Sequence, residues 1–287
     1  MGPRSTGRAV GVVVLVLAAL LGSAYALGRS LIPDQPRSRA GVTASVHDTE
    51  YGDQSPGSGT PTATPSGRAE AAQEPDARHP TGNPDDGPFG SRETTGSPEV
   101  ALTFDDGPDP RYTPQVLEIL REFHVRATFC VVGENAQAHP ELIRAIAADG
   151  HTLCNHTWQH DVQLGQRSPA AIRADLLRTN QVIHDIVPDA PIAWYRQPGG
   201  AWTYPVVSVA RELGMTSLHW TVDPSDWEAP GAARITTQVT GGVGPGSVVL
   251  LHDAGGDRQG TVDALRHILP DLTSRFRLEA LPVDGTT

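Results

Sequence analysis

The chain of 287 residues contains no lysine; all 22 of its side-chain cations besides histidine are arginine. A P-loop lysine, a Schiff-base lysine and a pyridoxal-phosphate lysine are therefore excluded. Cysteine occurs only twice, at Cys130 and Cys154, too few for a disulfide-scaffold protein. Basic charge is also short. Against 33 acids the arginines leave a net charge of −11, which argues against a nucleic-acid partner. Neither GxGxxG nor GxxxxGKS follows the first strand-like run, so the nucleotide-binding α/β folds lose support. The lysine-free, Ala/Gly/Pro/Arg-rich composition fits codon bias in a GC-rich genome.

The acidity is unevenly placed. Residues 1–95 carry 8 Arg and 10 acids, and residues 96–287 carry 14 Arg and 23 acids. The second segment is also long enough to bury a core as one domain. At the other end, Arg4 and Arg8 precede a 19-residue apolar stretch from Ala9 to Leu27, and the first acid is Asp34. Ala24-Tyr25-Ala26 suits signal cleavage, while the stretch is just long enough to cross a bilayer. Residues 1–27 thus read as a cleaved secretory signal or a single-pass anchor, and both readings place the rest outside the cell. No cysteine follows the stretch, which excludes a lipoprotein. Residues 28–97, rich in Pro, Gly, Ser and Thr, read as a disordered linker with an r.m.s. span of about 45 Å. Such a tether suits an enzyme working within a cell wall. Residues 98–287 form the expected domain.

Within that domain apolar runs alternate with amphipathic ones. Strands are expected at 100–105, 127–132, 151–155, 192–195, 215–222 and 248–251, with the tail 277–283 as a seventh. Helices are expected from Thr113, Pro140, Ser168–Pro169, about Pro205, Ala232 and Thr261. This order implies a parallel sheet covered by helices, as a barrel or a doubly wound sheet. Polar residues gather just past the strand ends: Asp105-Asp106, Asn155-His156, Arg196, Asp223/Asp226 and His252-Asp253. In α/β barrels the active site is assembled there.

Asp105 and Asp106 point in opposite directions at a strand end and so suit two tasks, although Asp-Gly-Pro-Asp-Pro is also turn-forming in its own right. His156 and His160, spaced i, i+4, can share a metal on one helical turn, or else are two surface histidines. No Glu follows His156, so the HExxH protease motif is absent. With a strand-end Asp the pair makes a three-ligand set that leaves a position open for water. His252 emerges from a buried strand as a proton donor or a satisfied core histidine, and Asp226 offers a carboxylate to it. Arg196 can pin a carboxylate, and Gly199-Gly200 permits the close backbone approach that an oxyanion-binding N–H needs.

In chain order, Thr103-Phe-Asp-Asp-Gly-Pro108, Asn155-His-Thr-Trp-Gln-His160, Arg196-Gln-Pro-Gly-Gly200, Asp223-Pro-Ser-Asp-Trp227 and Leu250-Leu-His-Asp253 resemble the five motifs of the polysaccharide deacetylases. This is the NodB-like family, also grouped as carbohydrate esterase family four. The resemblance covers about residues 97–283. It implies a distorted, incomplete (β/α) barrel of about seven strands, TIM-like in plan. It implies Asp105 as general base, Asp106, His156 and His160 as ligands of a divalent metal, zinc or else cobalt, Arg196 orienting Asp105, and Asp226 tuning His252 as general acid. Gly199 would offer its N–H to the oxyanion, and Trp227 and Leu250 would line the substrate groove. Gly199 stands where the family has a bulky residue, and Trp202 is expected to replace the lost surface. Trp158, Trp202 and Trp227 are read as sugar-stacking, Trp194 and Trp220 as core. Cys130 and Cys154 form either a disulfide between neighbouring strands or two buried thiols.

The implied activity is hydrolysis of acetyl groups on a polysaccharide. N-deacetylation of N-acetylglucosamine in peptidoglycan or chitin-type oligomers leads, with O-deacetylation of acetylxylan as the alternative. A catalytically silent carbohydrate-binding module is the competing class. A monomer is expected, outside the cytoplasm, touching membrane only through its N-terminal segment.

Overall fold

A computed structural model describes residues 87–283. The expected signal or anchor at 1–27 and the linker up to residue 86 lie outside the described residues. Among the described residues no helix is long and apolar enough to cross a membrane.

Among the described residues six parallel strands form one curved sheet: β1 (Ala101–Asp105), β2 (Thr128–Val131), β3 (Thr152–Asn155), β4 (Trp194–Tyr195), β5 (Thr216–Ser217) and β6 (Val248–His252), in the spatial order β5-β4-β3-β2-β1-β6. The run beginning at β5 continues across to the far edge, where Val222 pairs in parallel with Val249 and its carbonyl accepts from Leu250 N–H at 2.9 Å. The two edges of the sheet are thereby joined, and the expected long strand 215–222 serves β4 with its first residues and β6 with its last. This is the distorted, incomplete (β/α) barrel. Among the described residues seven α-helices cover it: α1 (Thr113–Glu122), α2 (Gly133–Ala138), α3 (Pro140–Ala148), α4 (Pro169–Ile186), α5 (Tyr204–Glu212), α6 (Ala232–Gly242) and α7 (Gln259–Arg275).

The period of two along each strand separates two environments. Leu102, Phe104, Phe129, Leu153, Val249 and Leu251 face the helices and join Val116, Leu120, Ile143, Ile183, Ile235 and Leu265 in the main core. The alternate residues face the barrel interior. There Ala101, Cys130, Cys154, Trp194, Leu218, Val248 and Leu281 make a second cluster. The small residues Ala101, Cys130 and Cys154 on three strands leave room for Trp194, fully buried as expected. Cys130 and Cys154 are register partners on β2 and β3, with Cα atoms 4.1 Å apart, and are joined as a disulfide. Above this layer come Thr103 and Arg196, and above them Asp105, His156 and His252.

Three departures from the sequence reading have simple causes. The tail 277–283 is no seventh strand; its one backbone bridge joins Val100 and Leu278. It crosses the N-terminal ends of the strands instead, where side chains bind it: Thr128 Oγ1 accepts from Leu281 N–H at 3.0 Å, Thr152 donates to Leu281 O at 2.7 Å, and Trp194 Nε1 donates to Pro282 O at 2.7 Å. Residues 87–97, read as the end of the linker, belong to the fold. Arg92 pairs with Leu218 and Thr94 with Ser247, so this polar stretch is held by its backbone, which composition does not reveal. Helix α7 runs past Pro270 because burial of Ile268, Leu269 and Leu272 outweighs the lost hydrogen bond.

Candidate active site

Asp105, Asp106, His156, His160, Asp223 and His252 meet at one end of the barrel, around a cleft of about 420 Å³. Asp105 closes β1 directly beside His252 of β6. Its Oδ1 accepts from Arg196 Nη1 at 2.7 Å, while Oδ2 lies 3.7 Å from His156 Nε2. Arg196 is wholly buried and uses its whole fork. Nη1 also donates to Thr103 Oγ1 at 2.7 Å, Nε to Leu218 O at 3.2 Å and Nη2 to His219 O at 3.1 Å. A lysine could not satisfy that set.

Asp106 turns away from its neighbour through a left-handed backbone, φ 74°, and Asn135 Nδ2 holds its carbonyl at 2.8 Å. A non-glycine residue there stores strain of the kind found at functional sites. Its Oδ1 lies 3.4 Å from His156 Nε2 and 3.2 Å from His160 Nε2, is buried, and lacks a hydrogen-bond donor. A tetrahedral ion with bonds of about 2.0–2.1 Å sets neighbouring ligand atoms about 3.3 Å apart. The three residues therefore fit a divalent cation, and the orphaned oxygen is what such an ion would satisfy. His156 Nδ1 bonds Arg196 O at 2.8 Å, which fixes the tautomer that leaves Nε2 free to ligate. Burial opposes charge on Asp106, but the proximity of His156, with the charges of His252 and His160, prevails and lowers its pKa to about 2. Burial and the charge of His156 depress His160.

The two histidines do not share a helical turn. Residues 156–160 form a loop with left-handed Thr157 and His160, because side chains satisfy its backbone. Asn155 Oδ1 accepts from Thr157 N–H at 2.9 Å, Asp175 Oδ1 from Trp158 N–H at 2.9 Å, and Thr157 Oγ1 from Asp161 N–H at 3.1 Å.

On the opposite wall His252 Nδ1 bonds Asp226 Oδ1 at 2.7 Å, so Nε2 is the nitrogen free for proton transfer. Asp226, fully buried, also accepts from His252 N–H at 2.9 Å and Thr261 Oγ1 at 2.7 Å. Burial disfavours the imidazolium, but Asp226 outweighs it and raises the His252 pKa. Asp226 begins a short 3₁₀ turn, Asp226–Glu228, between two left-handed residues, Ser225 and Ala229. Arg258 holds this turn in place. Its Nη1 donates to Asp226 O at 2.9 Å, its Nε to Ala254 O at 2.7 Å and its Nη2 to Gly255 O at 3.1 Å. Gly255 lies against Asp106 Oδ2, where a Cβ would collide with the carboxylate.

Gly199, Trp227 and Leu250 line the cleft as expected from the sequence, together with Gln197, Trp220 and Asp223. Three tryptophans are placed differently. Trp202 is buried against Leu164, Ile172 and Tyr195, with Nε1 donating to His219 Nδ1 at 3.1 Å, so it does not replace the wall missing at Gly199. Trp158 is buried under the Arg178 guanidinium, 3.5 Å from its ring, and cannot stack on a sugar. Trp220, read as core, is half-buried and faces the cleft, because β5 ends before it. Arg258 and Thr261 lie outside the five motifs; Thr103 and Gln197 lie inside them, but a hydroxyl and an amide there do not by themselves mark the supporting contacts they make. Asp253 stays out of the cleft; it is wholly buried, accepts from Thr113 Oγ1 at 2.5 Å, and burial raises its pKa to about 7.

The family model for polysaccharide deacetylases matches residues 92–218. A chitooligosaccharide deacetylase of Sinorhizobium fredii is 40% identical over 202 residues, covering 67% of this chain and 94% of the relative. The chain belongs to the polysaccharide deacetylases. A peptidoglycan-N-acetylglucosamine deacetylase of Bacillus cereus is 39% identical over 186 residues, covering 64% of this chain and 67% of that protein. Among solved structures, a peptidoglycan N-acetylglucosamine deacetylase superposes with a TM-score of 0.64 at 36% identity, covering 68% of this chain and 92% of its own. The resemblance read from the five motifs is thus the family relationship. As a family member the chain is a metal-dependent hydrolase of acetylated polysaccharides.

Proposed function

We propose that this chain N-deacetylates N-acetylglucosamine units of a polymer, chitin-type oligomers or peptidoglycan glycan. One observation carries the reading: the Asp106–His156–His160 ligand set lies between two differently supported proton-transfer groups, Arg196-bound Asp105 and Asp226-bound His252. A divalent cation in the set, zinc by its two-imidazole, one-carboxylate chemistry, would supply Lewis acidity toward water and the acetyl carbonyl. The remaining work falls on the chain. Asp105 is anchored through Oδ1, so Oδ2 takes the proton of the attacking water. The backbone N–H of Gly199, a residue of the cleft wall, would receive the developing oxyanion. His252 Nε2 hands a proton to the departing nitrogen as the C–N bond breaks, giving acetate and a free amine. Protonation matters more for an amine leaving group than for an alcohol, and the raised His252 pKa supports N- over O-deacetylation.

Location outside the cytoplasm is part of the proposal. It rests on the apolar stretch 9–27 and is supported by the Cys130–Cys154 disulfide, which suits an oxidising compartment. The test is acetate release by the full chain with zinc or cobalt from peptidoglycan, chitin oligomers and acetylxylan in parallel. Asp105→Asn is expected to bind metal and lose turnover, and His156→Ala to lose metal. Full activity in either variant would sink the assignment.

A further inference from the structure

The three residues that face the metal position are not held equally. Asp106 directly follows β1, and Asn135 holds its carbonyl. His156 directly follows β3, with its N–H on Val131 O at 3.0 Å and its Nδ1 on Arg196 O at 2.8 Å. His160 lies further on in a loop, at a left-handed φ of 55°, and 41% of its side chain is exposed. Its approach to the Asp106 carboxylate therefore depends on what holds residues 157–159.

Two helices grip that stretch, one by its carbonyls and one by an N–H. At the start of α2, Gly133 N–H donates to Thr157 O at 3.0 Å and Glu134 N–H to Trp158 O at 2.9 Å. Gly133 must be small here, since a Cβ would come within 2.6 Å of the Trp158 ring and 2.9 Å of Thr179 Oγ1. From α4, Asp175 Oδ1 accepts the Trp158 N–H at 2.9 Å, and the Arg178 guanidinium covers the Trp158 ring at 3.5 Å. Asp175 is half-buried, and among the described residues its carboxylate makes no ion pair and no other hydrogen bond. A charged acceptor makes that single bond roughly twice as strong as a neutral one would. Without it the N–H of buried Trp158 has no acceptor, and the turn that carries His160 loses its support from α4.

We propose that Asp175 is a positioning residue for His160 and through it sets the affinity of the metal site. The proposal rests on the deacetylase reading of that site and reaches beyond the five motifs, none of which contains Asp175. The experiment measures zinc affinity of the full chain by competition with a chromophoric chelator, beside thermal unfolding of the metal-free chain. Asp175→Ala should weaken zinc binding about tenfold, the low end for partners that stand behind a metal ligand. Its metal-free melting temperature should fall by only about 2–4 °C. Asp175→Asn keeps an oxygen for the Trp158 N–H and should lose no more than about threefold. In a His160→Ala background, Asp175→Ala should change zinc affinity by less than about twofold, because the ligand it serves is gone. Unchanged affinity in Asp175→Ala, an equal loss in Asp175→Asn, or a loss of about tenfold even without His160 would overturn the proposal. Zinc binding by wild type with no acetate release from any substrate would instead bring down the functional reading and leave the Asp175 result standing.

Discussion

Arg196 supports the base more tightly than any other residue, and replacing it separates positioning from fold. The guanidinium is completely enclosed and meets four acceptors: the Asp105 carboxylate, the Thr103 hydroxyl and the carbonyls of Leu218 and His219. Arg196→Met removes every donor at once and leaves a buried carboxylate without its cation. Breaking a buried pair in this way costs about 3–5 kcal/mol, and the orphaned carbonyls keep the figure at the upper end. For a domain of roughly 200 residues, each kcal/mol moves the melting temperature by about 2–4 °C, so a fall of about 10–20 °C is expected. Arg196→Lys should lie between, because one ammonium reaches some of the acceptors and leaves others bare. The double variant Arg196→Met/Asp105→Asn removes both charges and should recover several degrees relative to Arg196→Met alone. Thermal unfolding with chelator present reads stability, and acetate release reads function. Arg196→Lys, kept below its melting range, should bind zinc like wild type yet lose about 100-fold in kcat through a displaced Asp105. If Arg196→Met melts within about 2 °C of wild type, or the double variant is no more stable than the single one, the electrostatic account of this pair is wrong.

Asp226→Asn keeps the shape of the acid pair but removes the charge that raises the His252 pKa; kcat should fall about 10²–10³-fold, and activity should be lost at lower pH on the alkaline side, as a pH–rate profile will show. Arg258→Gln removes the clamp on the Asp226 turn without touching substrate, so it should lower kcat and shift that same alkaline limb while leaving zinc affinity intact; an unchanged profile would reduce Arg258 to packing. Cys130→Ala/Cys154→Ala opens a loop closed by a bond with a sequence separation of 24, worth about 3.5 kcal/mol in the unfolded chain, so its melting temperature should fall by about 7–14 °C, and a melt matching oxidised wild type would refute this. Asp253, whose pKa rises from the ordinary 3.8 to about 7 by burial, keeps a proton in the folded state that the unfolded chain has released; stability therefore falls as pH rises through that window, and Asp253→Asn should be the more stable form near pH 8 but not near pH 4, by denaturant unfolding with chelator present.

What the sequence disclosed and what it hid follow from the range of the interactions involved. Strand ends, the carboxylate pair and the His-x-x-x-His spacing are local, so β1, β6 and the ligand residues could be placed from a few neighbours each. Fold class followed from alternation, because a buried parallel strand must be apolar on both faces. Closure of the barrel was different. Whether the run from 215 to 222 pairs along its whole length or hands over from β4 to β6 depends on curvature, and no residue in it encodes that choice. The tail 277–283 follows the same reason: its apolar residues suit a strand, but Thr128, Thr152 and Trp194, far away in sequence, bind its backbone from the side. The tryptophans show the limit most sharply. Trp202 and Trp220 are 18 residues apart and equally apolar, yet one fills a core beside Tyr195 and the other walls the cleft. Their difference is set by where β5 ends and by Gly200, whose Cβ would strike the Trp220 ring at 2.9 Å. Arg258 lay hidden because its partners are three carbonyls, and a backbone carbonyl leaves no trace in residue identity. The chemistry of this site was therefore legible where it depends on which side chains are present. It was illegible where it depends on which backbone they hold, and Arg196 with its carboxylate and two carbonyls stands on both sides of that line.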